Sequence, residues 1–180
     1  IDLANSIDPG ITIATLPADS VVFADRMVAS VKIIPFAVGE AAVEKVLEVL
    51  SDGNAILVAA YSARQIGLIS TRLPVLKNSV VEKTAGVFEK RLEPSSSLLA
   101  EHRKVDHNQD DLATAIRDMA DAGHEAIVIF GASAIADRHD VIPAAIERAG
   151  GDIIWFGMPV DPGNLLLVGK LGDIDIIGAP

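Results

Sequence analysis

Four small residues in a row, Gly131-Ala132-Ser133-Ala134, followed by a carboxylate at Asp140, form the stretch of this sequence best suited to chemistry. Without bulky side chains the backbone can approach a ligand closely, and amide N–H groups beside a helix start can hold a phosphate. Ser133 adds a hydroxyl donor. The same stretch would also serve as an ordinary strand-to-helix turn, which needs small residues for packing alone. Asp140 stands directly before Val141, with Pro143 just beyond, a position from which a side chain caps a helix. At a ligand rim the same carboxylate would hold Mg²⁺, and that cation would relieve its repulsion of a neighbouring phosphate. Both roles stay open.

Other candidates are weaker. Residues 158–164, Met-Pro-Val-Asp-Pro-Gly-Asn, read as a rigid turn in which Pro159 and Pro162 fix φ and Gly163 tolerates positive φ. His102, His107, His124 and His139 share no metal-ligand spacing and read as surface or polar-network residues, with Asp106-His107 the best placed. Asp110-Asp111 suits the positive end of a helix dipole. The sequence contains no serine-nucleophile elbow, Walker loop or Rossmann fingerprint. It contains no cysteine, which excludes disulfides, thiolate metal sites and cysteine nucleophiles.

The elements that must position these residues can be read from apolar periodicity. Residues 65–70 predict a strand, followed by a loop over 71–77. Asn78 is a plausible N-cap for a helix through Leu92, with Val80, Val81, Val87 and Phe88 inward. Residues 98–105 predict a strand. Asp110 starts a helix through Ala122, with Leu112, Ala115, Ile116 and Met119 on one side and Gly123 as its cap. Residues 126–130 are a fully apolar strand, 141–149 a helix ended by Gly150-Gly151, and 153–156 a strand. Residues 165–168 and 174–177 predict a closing β pair turned at 169–172. Strand–helix alternation of this kind predicts an α/β fold, a three-layer α/β/α sandwich with a mostly parallel sheet. Ligands of such sheets bind at the carboxyl ends of the strands, which places loops 71–78, 105–110 and 131–140 on one rim.

Residues 1–63 read differently, as a small N-terminal α+β appendage to the domain at 64–180. Short strands are expected at 11–16, 21–23, 28–34 and 56–60. A helix opens after Gly39 with Val43, Val46, Leu47 and Leu50 on its apolar face, and Asp52-Gly53-Asn54 makes a turn. The start at Ile1, and the stop at Ala179-Pro180 straight after an apolar run, lead us to expect a fragment of a longer protein.

Half of the residues are hydrophobic but aromatics make up 4%, so the core is aliphatic, as a buried parallel sheet requires. The formal net charge of -10 opposes nucleic-acid binding. No apolar run approaches the roughly 18 residues that span a bilayer, and no signal-like start is present. We expect a cytoplasmic protein that engages neither nucleic acid nor membrane.

Taken in order, the segments resemble the molybdopterin-binding domain shared by molybdopterin adenylyltransferases and molybdopterin molybdenumtransferases. Ile66-Gly67-Leu68-Ile69-Ser70-Thr71 resembles the family's opening strand and threonine, and Val105-Asp106 its acidic middle loop. Gly131-Ala132-Ser133-Ala134, with Asp140-Val141-Ile142-Pro143, resembles its glycine-rich loop and the Asp-Val-x-Pro that follows. Met158 through Gly163, with Gly178-Ala179-Pro180, resembles the Pro-Gly turn and terminal Gly-x-Pro-Gly of the molybdenumtransferase branch. Residues 1–63 look like the piece preceding this domain in a divergent branch, sometimes fused to a nucleotidyltransferase domain.

The resemblance implies that molybdopterin or its nucleotide form is the ligand. Ser133 and the loop amides of Gly131, Ala132 and Ala134 would hold its phosphate. Thr71, Asp106 and Asp140 would line the pterin or metal side, and Pro162-Gly163 would complete the rim. It also implies a homo-oligomer and a nucleotidyltransferase domain or partner. The departures bear on activity. Ala132 and Ala134 occupy glycine places, the family's Thr-Gly-Asp-Glu becomes Thr71-Arg72-Leu73-Pro74, Asn78 replaces an acidic residue, and Asn164 replaces a lysine. Lost carboxylates favour a module that binds pterin without turning it over. Two alternatives stand beside it. One is a Mg²⁺-dependent adenylyl- or molybdenumtransferase, with Asp140 and Asp106 catalytic and Asp140 on the metal. The other is a structural or oligomerisation domain with a decayed pocket.

Overall fold

Local hydrogen bonding ties the N-terminal segment together around a small core. The computed structural model describes residues 1–51, 53 and 55–180, in two units, Ile1–Ala60 and Tyr61–Pro180. The first contains α1 (Asp2–Asn5), the antiparallel pair β1 (Ile11–Thr15) and β2 (Ala29–Ile33), and α2 (Glu40–Val49). The Asn5 amide donates to the Ile13 carbonyl at 2.8 Å and accepts the Ile13 N–H at 2.7 Å, so one side chain replaces a missing ladder partner. Ala4, Ile11, Ile13 and Val46 form its small core.

Three expectations for this unit change. The inward face of α2 is Ala42, Val46, Val49 and Leu50, while Val43 and Leu47 are exposed. The helical period holds, with the buried stripe rotated about the axis relative to the expected one. The apolar runs 21–23 and 56–60 are not strands, and Val21, Phe23, Leu57 and Val58 are exposed. An apolar run becomes a strand when a ladder partner exists, and among the described residues neither run has one. Asp52 and Asn54 of the expected turn lie outside the described residues.

In the second unit apolar strands alternate with amphipathic helices: β3 (Gln65–Arg72), α3 (Asn78–Leu92), β4 (Leu98–Asp106), α4 (Gln109–Asp121), β5 (Ala126–Phe130), α5 (Val141–Ala149), β6 (Asp152–Phe156), β7 (Leu167–Leu171) and β8 (Ile174–Ala179). They form one six-stranded sheet in the order β4-β3-β5-β8-β7-β6. The first four strands are parallel, and β7 and β6 are joined antiparallel at one edge. Alternation along β3 and β5 sends Ile69, Ile127 and Ile129 against α4 and α5, and Ile66, Leu68, Ala126 and Val128 against α3. That is the expected three-layer α/β/α sandwich. Leu112, Ile116 and Met119 of α4 and Ile142 and Ile146 of α5 are fully buried, each contributing about 1.5–3 kcal/mol relative to an exposed side chain.

Differences in detail follow from packing. The strand β3 runs two residues beyond the expected end, because Thr71 and Arg72 pair with Val105 and Asp106 of β4. The N-cap of α3 is Lys77, with Asn78 as first helical residue. The inward face of α3 is Val81, Ala85, Phe88 and Leu92, and Val80 and Val87 are exposed. The α4 cap is Asn108, whose side chain accepts the Asp111 N–H at 2.9 Å. The closing turn falls at Gly172, φ +58°, while Gly169 lies within β7, where an added Cβ would meet the Asp152 carbonyl oxygen at 3.0 Å. Among the described residues no helix is long and apolar enough to cross a membrane.

Candidate functional site

The register of β3 and β5 decides what meets at the rim. Ser70 pairs with Phe130, so Thr71 stands one step past the last paired residue, where the chain leaves β5 into the 131–134 turn. Its hydroxyl is 2% exposed by residue and has three neighbours. Thr71 Oγ1 accepts the Ala132 N–H at 2.8 Å, lies 2.8 Å from His107 Nδ1, and lies 3.4 Å from the Phe130 carbonyl. The far side of the imidazole, Nε2, is 2.8 Å from Ser133 Oγ. His107 itself is fixed by its own N–H, which donates to the Arg72 carbonyl at 2.9 Å. The structure therefore joins Thr71 at the end of β3, His107 after β4 and Ser133 after β5 in one chain of hydrogen bonds.

Burial holds the His107 imidazole below its ordinary pKa, with the Asp140 charge opposing in part. The ring is accordingly neutral at pH 7, with one proton for two nitrogens. When the Thr71 hydroxyl donates to Phe130, Nδ1–H donates to Thr71, and the Nε2 lone pair accepts from Ser133. When Thr71 donates to Nδ1, Nε2–H donates to Ser133.

On the α3 side of the same rim lies a groove of about 530 Å³. Ser70, Thr71, Phe130, Gly131 and Ala132 line it from the sheet side, and Val80, Lys83, Thr84, Val87, Phe88 and Arg91 from α3, with Leu76, Ala179 and Pro180 also in the lining. Residues 80, 83, 84, 87 and 91 recur at helical spacing, which explains why Val80 and Val87 face out of the core: they face the groove. Phe88 and Phe130 meet edge to face, ring centroids 5.6 Å apart. Lys83 and Arg91 are the charged residues of the lining, and among the described residues neither is in an ion pair. Beneath the wall, the Ser70 hydroxyl lies 3.0 Å from His102 Nε2, and burial lowers the His102 pKa. The neighbouring Lys104 is ion-paired with Glu82 of α3.

The remaining expected site residues lie elsewhere. Ser133 and Ala134 are exposed and outside the groove. The amides of Gly131 and Ala132 already donate, to the Ala179 carbonyl at 2.7 Å and to Thr71, so they are not free for a phosphate. Asp106 is exposed, with Arg72 at 3.8 Å. Asp140 occupies the N-cap position of α5 without capping it. Its Oδ2 instead accepts the N–H groups of Ala136 at 2.6 Å and Asp137 at 2.9 Å, and these bonds, that of Asp137 foremost, hold its pKa below the ordinary value. Pro162 and Gly163 sit in the turn between β6 and β7, three strands from β5 along the same rim. Among the described residues no three potential ligands cluster to hold a metal. Mg²⁺ at Asp140 would need its other oxygens from substrate and water, so the residues present do not make a resident Mg²⁺ site.

The sequence held a signal for His107, a histidine on the rim, but none for its bridging role, which depends on β4 and β5 flanking β3. It held no signal for the groove face of α3.

No protein-family model and no curated protein matches the chain. Among solved structures, the CinA protein of Thermoplasma acidophilum, described as having unknown function, is similar at 14% identity and a TM-score of 0.51, over 66% of this chain and 88% of that one. The molybdopterin biosynthesis MoeA protein of Pyrococcus horikosii is similar at 17% identity and a TM-score of 0.47, over 76% of this chain and 35% of its own. MogA is similar at 19% identity and a TM-score of 0.43, over 65% of this chain and 82% of its own. The CinA likeness shows a shared α/β layering and, at that identity, no residue-by-residue correspondence of sites.

Proposed function

We propose that the second unit binds a flat, anionic ligand of the molybdopterin type in the groove beside α3, as a binding module of cofactor biosynthesis. The observation that carries this reading is charge placement. A chain of net charge -10 presents two cations, Lys83 and Arg91, that have no ion-pair partner among the described residues, on one apolar groove. Val80, Val87 and the Phe88 ring would receive a fused ring system, and the two cations its phosphate. The order of the sequence motifs at Thr71, Asp106, Gly131–Ala134 and Pro162-Gly163 favours a pterin among flat anions. Ser133 has no phosphate role here, because its hydroxyl is turned to His107. Asp106 and Asp140 lie outside the groove, which favours binding over transfer. Delivery to a nucleotidyltransferase and self-association belong to the same reading.

The test is an anaerobic titration with molybdopterin followed by pterin fluorescence. Wild-type protein should bind, more weakly as salt rises. Each charge contributes about 1 kcal/mol at a solvent-facing site, so Lys83→Glu with Arg91→Glu should weaken binding at least about tenfold. Absence of binding, or equal affinity in the double variant, refutes the reading.

A further inference from the structure

Ser133 is left outside the groove reading, although its environment is the one a serine needs in order to react. We propose that Ser133 is a nucleophile served by His107, in a site that cleaves carboxylic esters with short, uncharged acyl groups. The nucleophile–base contact is the 2.8 Å approach of Ser133 Oγ to His107 Nε2. The base–orienter contact is the 2.8 Å approach of His107 Nδ1 to Thr71 Oγ1. Thr71 is itself held by the Ala132 N–H at 2.8 Å, so the orienting group is fixed by the loop that carries the nucleophile. This is the nucleophile, base and orienter order that acyl transfer requires, with a neutral hydroxyl in place of a carboxylate.

The turn also supplies donors. Among the described residues, the amides of Ser133, Ala134 and Ile135 have no acceptor, while their neighbours do: Ala132 donates to Thr71, and Ala136 and Asp137 donate to Asp140. Free N–H groups at and just after a nucleophile are where a developing oxyanion would be held. The substrate class follows from charge and space. Asp137 and Asp140 share the loop with Ser133, and Asp106 precedes His107, so a permanently anionic substrate is disfavoured on this side of Thr71. Ser133 and Ala134 are exposed, and the apolar groove opens on the other side of Thr71, so a long acyl chain has no cavity to fill.

In the step itself, Ser133 Oγ bonds to the carbonyl carbon as its proton passes to His107 Nε2. The ester C–O bond then breaks, and His107 returns the proton to the departing alcohol oxygen. Water attacks the acyl-serine, giving a proton to His107. The acyl–Oγ bond breaks, and Ser133 recovers the proton as the carboxylic acid leaves.

The experiment treats the whole chain with a fluorophosphonate probe and maps the adduct by peptide mass spectrometry, alongside p-nitrophenyl acetate turnover. Wild-type protein should carry the adduct on Ser133. Ser133→Ala should abolish it, and His107→Gln should slow labelling at least tenfold. Thr71 acts through His107 and is a positioning residue, so Thr71→Val should slow labelling and Thr71→Ser should restore it. Wild-type protein that is folded by circular dichroism yet unlabelled at Ser133 overturns the proposal without any variant. So does labelling at an equal rate in His107→Gln. Molybdopterin titration of Ser133→Ala reports on the groove separately, and its result does not bear on the adduct.

Discussion

Replacing Thr71 by valine keeps the shape of the side chain and removes one hydroxyl. Two close contacts depend on that oxygen, the Ala132 N–H and His107 Nδ1, each at 2.8 Å. Leaving a buried polar group unpaired costs about 1–3 kcal/mol. Ala132 and His107 are half-buried, so water recovers part of the loss, and about 1 kcal/mol for each, about 2 kcal/mol together, is the expected cost. Thr71→Ser keeps the hydroxyl and deletes one buried methyl, worth about 0.8 kcal/mol. For a chain of this size about 1 kcal/mol moves the melting midpoint by roughly 2–4 °C. Valine should therefore lower it by about 4–8 °C and serine by about half as much. Thermal melts give the order, and hydrogen exchange gives the cause. The Ala132 amide should exchange faster in the valine variant and stay protected in the serine variant. A valine variant at least as stable as the serine variant, or an Ala132 amide that exchanges as in wild type, would refute the hydrogen-bond account of this rim.

Two further predictions concern the second unit. Burial lowers the pKa values of both His102 and His107 from 6.5, so below that pH the unfolded chain binds protons that the folded one refuses. Their contribution to stability is complete above about pH 6.5 and is lost as pH falls through the folded values. Urea midpoints should drop as pH falls below about 6.5, and less steeply in His107→Gln; a flat profile counts against the burial of these rings. Two glycines should respond oppositely to alanine. At Gly151 a Cβ would lie 2.5 Å from the Lys170 carbonyl oxygen, whereas at Gly86, inside α3, it meets nothing within 4 Å. Gly151→Ala should destabilise by about 3 kcal/mol and Gly86→Ala stabilise by about 0.5–1 kcal/mol; denaturation midpoints moving in the same direction would contradict the packing described.

The parts of the fold legible in the sequence are those where one face of an element is enough to specify it. The run 126–130, apolar throughout, is β5 residue for residue, and Leu112, Ala115, Ile116 and Met119 mark the buried side of α4. Periodicity shows that a residue is apolar, not what it will face. Val80 and Val87 belong to the stripe of α3 by composition, yet they line a groove. Val21, Phe23, Leu57 and Val58 lie in apolar runs but have no ladder among the described residues. At the site, the small-residue turn and its open rim position were readable. The direction of the Asp140 carboxylate was not, because it depends on whether a side chain bonds forward into its helix or back to residues 136 and 137. Nor was the His107 bridge, which requires knowing that β3 lies between β4 and β5.

The separation of the groove from the serine is a consequence of strand pleating. Successive side chains of β3 leave on opposite faces of the sheet. Ser70 bonds His102 and borders the groove under α3, while Thr71 bonds His107, Ala132 and, through the ring, Ser133. The positively charged wall and the acid-flanked nucleophile are therefore kept apart by one residue step at the end of one strand, without an intervening element. Moving β3 by a single position against β5 would send the Thr71 hydroxyl to the α3 side and bring Ser70 or Arg72 to His107 in its place. The Ser70↔Phe130 pairing prevents this, since the same slip would expel Ile69 from the α4–α5 core, where it is fully buried. Burial of one isoleucine thus fixes the register on which both sites depend.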